Sequence, residues 1–266
     1  MQMRGWMFRI LRVAFIAAAA WLAFHLLRPQ GLGWTVPVAA AVAALAWIAF
    51  RMMQVRRHRE EDSRADRWAE ALMDPPLRPG AIRELRAELG ALDGKKHAAR
   101  HARLTLVLAE LLEADGDPAA AREALGAVRL GALTERTRTM VQHARAVAAL
   151  SAGDVEGAAE LLDALAPVGE RELDLRVRAL RGFVLAEKGE AERALELAEE
   201  LRIDAASDAD LRMEARVLKA VALDVAGDRA DAVKVLRALG EEMLGVLLVL
   251  GLPRVRELAD LALDED

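Results

Sequence analysis

Hydrophobic positions along the 266-residue chain fall into two regimes. Two uncharged apolar runs come first, Val13 to Leu27 and Leu32 to Phe50, separated by Arg28-Pro29-Gln30-Gly31. With Met52-Met53 the second run reaches the roughly 20 residues a helix needs to cross hydrocarbon. The first is extended by Met7-Phe8 and Ile10-Leu11, with Arg9 and Arg12 reaching toward headgroups, so the pattern predicts a transmembrane helical hairpin over residues 1–59. Trp6, Trp34 and Trp47 fall near the expected interfaces, where an indole is best placed. From residue 60 onward apolar residues recur with a helical period and the stretches between them are short, which predicts consecutive amphipathic helices.

This second regime repeats itself. Gly116-Asp117, Gly153-Asp154, Gly189-Glu190 and Gly227-Asp228 follow one another at intervals of 37, 36 and 38 residues. Each glycine ends a long apolar-periodic segment, as a residue that accepts positive φ should, and each acid stands where the next helix dipole begins. Alanine stands five residues after every glycine (Ala121, Ala158, Ala194, Ala232), and a small residue stands seven before it (Ala109, Ala146, Gly182, Ala220). Apolar residues recur nine and twelve positions after it: Leu125 with Val128, Leu162 with Leu165, Ala198 with Leu201, Leu236 with Leu239. Such spacing places two small contacts and one apolar stripe on each helix pair, the requirement for stacked units that share a continuous core.

In this pattern the chain resembles the tetratricopeptide (TPR) repeat family, which also has a small residue in the first helix, glycine at the turn, alanine early in the second and large apolar residues later. Four copies cover residues 98–242. They exceed the family's 34 residues, lack its aromatic positions, and do not close on proline at the usual place. The resemblance implies an all-α fold, a TPR-like α-solenoid of antiparallel helix pairs, that binds other proteins. Residues 60–97 are expected to form a degenerate leading unit, with helices near 63–73 and 81–92, a break at Asp74-Pro75-Pro76, and Gly80 one period before Gly116. Residues 243–266 are expected to add an apolar helix on the last repeat or an oligomer contact, then a capping helix near 254–263 and an acidic tail.

Charge sharpens both expectations. Of the 37 basic side chains, eight arginines lie in residues 1–59, which hold no acidic residue; that leaves 29 basic against all 42 acidic side chains in the remainder. Three arginines precede the first run, four closely follow the second, and the connecting loop has one. The bias predicts an inner-membrane protein with two spans, embedded through residues 6–53, with both termini cytoplasmic. A cleaved signal peptide is the competing reading, but no small-x-small site follows Leu27. An acidic main body disfavours nucleic acid as a partner, and the absence of cysteine excludes disulfides and thiolate chemistry.

Catalytic and cofactor motifs are not found: there is no phosphate-binding loop, no Gly-x-Ser-x-Gly and no His-Glu-x-x-His, and no cofactor is expected. His97 and His101 share a helical face but have no evident third metal ligand. One periodic feature stands out. Eight residues before the turn glycine the last three copies carry Arg145, Arg181 and Lys219, with Arg178 and Arg216 three residues earlier in two of them. A constant offset puts these cations on one face. In TPR proteins the first helices line the partner-binding groove, so the resemblance implies an acidic segment as ligand; a solvated face balanced by glutamates is the alternative. The sequence thus leads to a membrane-anchored scaffold for protein–protein interaction at the cytoplasmic face of a bacterial inner membrane, or to a transport, secretion or motility subunit whose hairpin makes the assembly contacts.

Overall fold

The structure, a computed structural model, describes residue 64 and residues 66–94, 96–205 and 208–264. The chain divides into two compact units, residues 1–66 and 67–266, and the described part of the molecule is essentially the second. Among the described residues the fold is all-α. A helix over residues 66–73 and a 3-10 turn at Pro75–Leu77 lead into α1 (Arg78–Ala91). There follow α2 (Ala98–Ala114), α3 (Pro118–Gly126), α4 (Glu135–Ser151), α5 (Val155–Asp163), α6 (Arg171–Glu187) and α7 (Ala191–Asp204). The chain continues with α8 (Ala209–Val225), α9 (Arg229–Arg237), α10 (Glu241–Leu250) and α11 (Pro253–Asp264).

The long helices α2, α4, α6 and α8 have 17 residues each, and each packs on the helix that follows it. They also touch one another in order, α2 with α4, α4 with α6 and α6 with α8. The turn that ends each is the same. Gly116, Gly153, Gly189 and Gly227 all take positive φ, between 79° and 95°. The acid after each glycine sends its backbone N–H back to a carbonyl five residues earlier, at Leu112, Ala149, Leu185 and Leu223, over 2.8–2.9 Å. This 6→1 bond satisfies a carbonyl the helix end would otherwise leave open. Asp117 and Asp154 then accept from Ala120 N and Gly157 N at 2.9 Å and cap the next helix.

Small residues permit the close approach on either side of these turns. Ala121, Ala158, Ala194 and Ala232 are fully buried, as are Ala146 and Ala220. At Gly182 a Cβ would collide with Leu218 Cδ2 on the next long helix. Around them lie the fully buried leucines 111, 125, 162, 201, 218 and 236, each worth about 1.5–3 kcal/mol of apolar burial.

Several expectations are corrected. The two-span inner-membrane assignment does not stand: among the described residues no helix is long and apolar enough to cross a membrane. The reason is length against charge. The 17-residue helices carry charged side chains on their outer faces, and α10, the apolar one, has 10 residues and spans about 15 Å against roughly 30 Å of hydrocarbon. The runs at 13–27 and 32–53 and the basic flanks of the expected hairpin lie outside the described residues. Gly80 is not a turn residue but sits inside α1. The apolar stripe on the second helices also outlasts the helices: α3 and α5 have nine residues and stop before Val128 and Leu165, which are buried in the connections.

Gly153→Ala, forced into positive φ, is expected to cost about 1–2 kcal/mol. Gly80→Ala, in a helix with open space around the new methyl, is expected to gain about 0.5–1 kcal/mol. Urea unfolding followed by circular dichroism measures both.

Candidate functional site

Four long helices side by side offer a continuous surface, so the first question is what the periodic cations do on it. Arg145 sends Nε and Nη2 to Leu125 O at 3.1 and 2.9 Å, and Nη2 also reaches Gly126 O and Val128 O at 3.2 and 3.0 Å. These are the carbonyls at the end of α3. Arg181 repeats the arrangement one copy later, with Nη2 on Leu162 O at 2.9 Å and Leu165 O at 3.3 Å at the end of α5. Guanidinium donors suit the negative end of the helix dipole at these carbonyls, two of which also accept the N–H of Val128 and Leu165; Arg145 uses two nitrogens, whereas Arg181 uses Nη2 alone and its Nε is buried without a partner among the described residues. Arg178 pairs instead with Asp204 and Glu200 on α7, at 2.8 and 3.1 Å. Arg216 and Lys219 are exposed. The structure therefore brings Arg145 and Arg181 onto corresponding carbonyls, with fewer bonds at Arg181, and leaves Arg216 and Lys219 on the surface. Where the clamp position is Lys219, the preceding helix α7 runs on to 14 residues.

A different surface has the character of a site. Where α4, α6 and α8 face α10 and α11 there is a cavity of about 270 Å³. Val147, Phe183 and Met213, one from each long helix, form its apolar wall with Val217, Val246 and Leu252. Its polar members are His143, Arg176 and Glu214. Arg176 Nη1 donates to Glu214 Oε1 at 3.2 Å and Nη2 to Glu172 Oε1 at 3.3 Å. Glu214 Oε2 is buried with no hydrogen-bond partner among the described residues.

Burial governs the titration here. It pushes the Glu214 carboxyl up, against the opposing pull of Arg176. It pushes the His143 imidazole down to about 4; the backbone at Arg176 works the other way and the charge of Arg176 reinforces the fall. Glu113 on α2 is raised to about 7 by burial and by neighbouring Glu110, with Arg256 opposing. At the far side Asp224 is buried, yet hydrogen bonds from Arg229 and Arg254 hold its carboxyl below the ordinary range.

His97 precedes α2 as its exposed cap residue, and His101 contacts Thr105. Among the described residues no group of three histidines or carboxylates is placed to hold a metal ion. Neither His143 nor Glu214 stood out in the sequence; each is one polar residue in an amphipathic helix, and only the packing makes it interior. Comparison with protein families, curated proteins and solved structures found no match.

Two predictions follow from these contacts. Arg145→Lys is expected to lose about 1–3 kcal/mol, since an ammonium does not reproduce the two-nitrogen fork on several carbonyls, whereas Arg216→Lys is expected to be neutral in the same urea titration. The two buried ionisable groups give opposite pH dependences. For Glu113 the folded pKa lies above the unfolded one, so wild type loses stability as pH rises from about 4.5 to 7. Glu113→Gln should escape that loss and gain on wild type across the window, by order 2 kcal/mol. For His143 the folded pKa lies below the unfolded one, so stability falls as pH drops from about 6.5 to 4. His143→Gln should gain on wild type in that direction, by a similar order of magnitude. Stability measured against pH for both variants checks the signs.

Proposed function

We propose that the described helices form a TPR-like α-solenoid of antiparallel helix pairs and that the protein is a scaffold binding other proteins on the face shared by α4, α6 and α8. Support for the repeat comes from the recurring turn, the buried alanines at constant offset and the ordered contacts among the long helices. A stack of this kind presents equivalent positions of successive helices side by side, which suits an extended or helical segment better than a small substrate. The observation that carries the reading is that Val147, Phe183 and Met213, contributed by three successive long helices, meet in one half-buried apolar wall with a few polar groups among them.

A second reading keeps an acidic partner for the basic stripe. It now falls on Arg216 and Lys219, because Arg145, Arg178 and Arg181 are engaged within the chain.

In-cell crosslinking of the full chain, followed by mass spectrometry, tests the two together. Phe183→Asp with Val147→Asp should abolish recovery of the specific partner while circular dichroism stays helical, and Arg216→Glu with Lys219→Glu should leave recovery unchanged. Retention by the apolar-wall variant with loss in the charge-reversed one transfers the site to the basic stripe. Retention by both, or no specific partner at all, overturns the scaffold reading.

A further inference from the structure

The last two helices are attached very differently. α11 is anchored: Val255, Leu258, Ala259 and Ala262 are buried and the helix packs on α8 and α9, with Arg254 tying its start to Glu187 at 3.0 Å and Asp224 at 2.9 Å. α10 is held far less. Leu244 and Leu247 are enclosed, but Met243, Val246, Leu248 and Val249 are half-buried. Between this helix and the wall of Val147, Phe183 and Met213 lies the cavity of about 270 Å³. A helix that does nothing but complete a core fills it to the density of the rest and leaves no cavity of that size.

Both ends of α10 are glycine turns. Gly240, its N-cap, takes a φ of 89°. Gly251, its C-cap, sits where any side chain would collide with Leu247 O and Val255 Cγ1, so only glycine lets the chain pass from α10 into α11 there. One side chain fastens the second turn. Arg256, in the first turn of α11, donates from Nε to Gly251 O at 2.7 Å and from Nη2 to Glu113 O at 3.4 Å, at the end of α2. α10 itself also touches α2. A single guanidinium thus joins the turn that ends α10 to the first long helix, and the apolar helix is held across the face that α4, α6 and α8 share.

We infer that α10 is an autoinhibitory lid, which covers the apolar wall in this structure, turns about Gly240 and Gly251 while α11 stays in place, and is held shut by Arg256. What the lid withholds rests on the scaffold reading; its movement does not. Terminal residues that absorb the backbone change while their flanking elements stay packed are what a hinge requires. Opening exposes Val147, Phe183 and Met213 together, because all three line the one cavity that α10 covers. It also gives up the burial of Leu244 and Leu247, so the closed state is the resting one and a partner gains access by shifting that equilibrium.

The chain has no cysteine, so Val147→Cys in the full chain places a single thiol under the lid. Its rate of labelling by a maleimide reads the open fraction when reclosing is fast. Arg256→Gln is expected to raise that rate about tenfold, the effect of one charge-assisted hydrogen bond on an opening equilibrium, and to quicken amide exchange in α10 while the long helices and the body of α11 exchange as before. An unchanged labelling rate, or exchange that quickens throughout α8, α9 and α11 together with α10, overturns the inference. If Arg256→Gln loses its helical circular dichroism, Leu244→Ala, which removes an enclosed contact of the lid itself, takes its place under the same criteria. In-cell crosslinking of the Arg256→Gln chain with Val147 intact then reads the inhibition, and recovery of the specific partner should rise above wild type. Faster labelling with recovery no higher than wild type overturns the inhibitory role. Absence of a specific partner from both forms sinks the scaffold reading, and is told apart from failure of the lid because labelling needs no partner.

Discussion

Close approach between helices through side chains no larger than alanine is the constraint on which this fold depends. Ala121, Ala158, Ala194 and Ala232 have no exposed surface, and the small residues of the long helices, Ala109, Ala146, Gly182 and Ala220, are buried as well. A larger residue at any of these points separates a helix pair and withdraws the leucines that close the core around it. The glycine turn fixes where the approach occurs. Its positive φ reverses the chain within two residues, and the returning N–H from the following acid binds the turn to the helix it has just ended. Length, turn and contact are thus set together, which is why the four long helices all have 17 residues although the chain between glycines varies by one or two.

That constraint was legible in the sequence because it acts through residue type. Only glycine enters the turn without strain, and only small residues fit the contact, so both leave a mark at fixed spacing. The periodic arginines were legible as a period but not as a contact. Their acceptors are main-chain carbonyls at Leu125, Val128, Leu162 and Leu165, and a carbonyl has no sequence signature. The same blindness explains the second helices. The apolar period runs through Val128 and Leu165, yet in those copies the helix has already ended and an arginine holds its last carbonyls. In the third copy, with lysine at the clamp position, α7 continues for another turn and more.

The candidate site was less legible still. His143, Arg176 and Glu214 read as ordinary polar members of amphipathic helices, and what makes them unusual comes from the far end of the chain. Residues 243–252 were readable as an apolar helix; the reach of this end of the chain back to α2 was not, since no local pattern encodes a contact across 143 residues. Long-range closure of this kind is set by which apolar face is left uncovered after the long helices have packed, and sequence periodicity does not encode it.

The groups around the closure show what it costs. Covering the face of an acidic array with an apolar helix strips water from carboxylates and imidazole that would otherwise be solvated, and each responds by favouring its neutral form, Glu113 and Glu214 upward and His143 downward. Asp224 is the exception, because Arg254 from the closing segment arrives with Arg229 to hold its charge. The closing segment therefore brings the two ion pairs of Arg254, with Glu187 and Asp224, to the rim and an apolar surface to the middle.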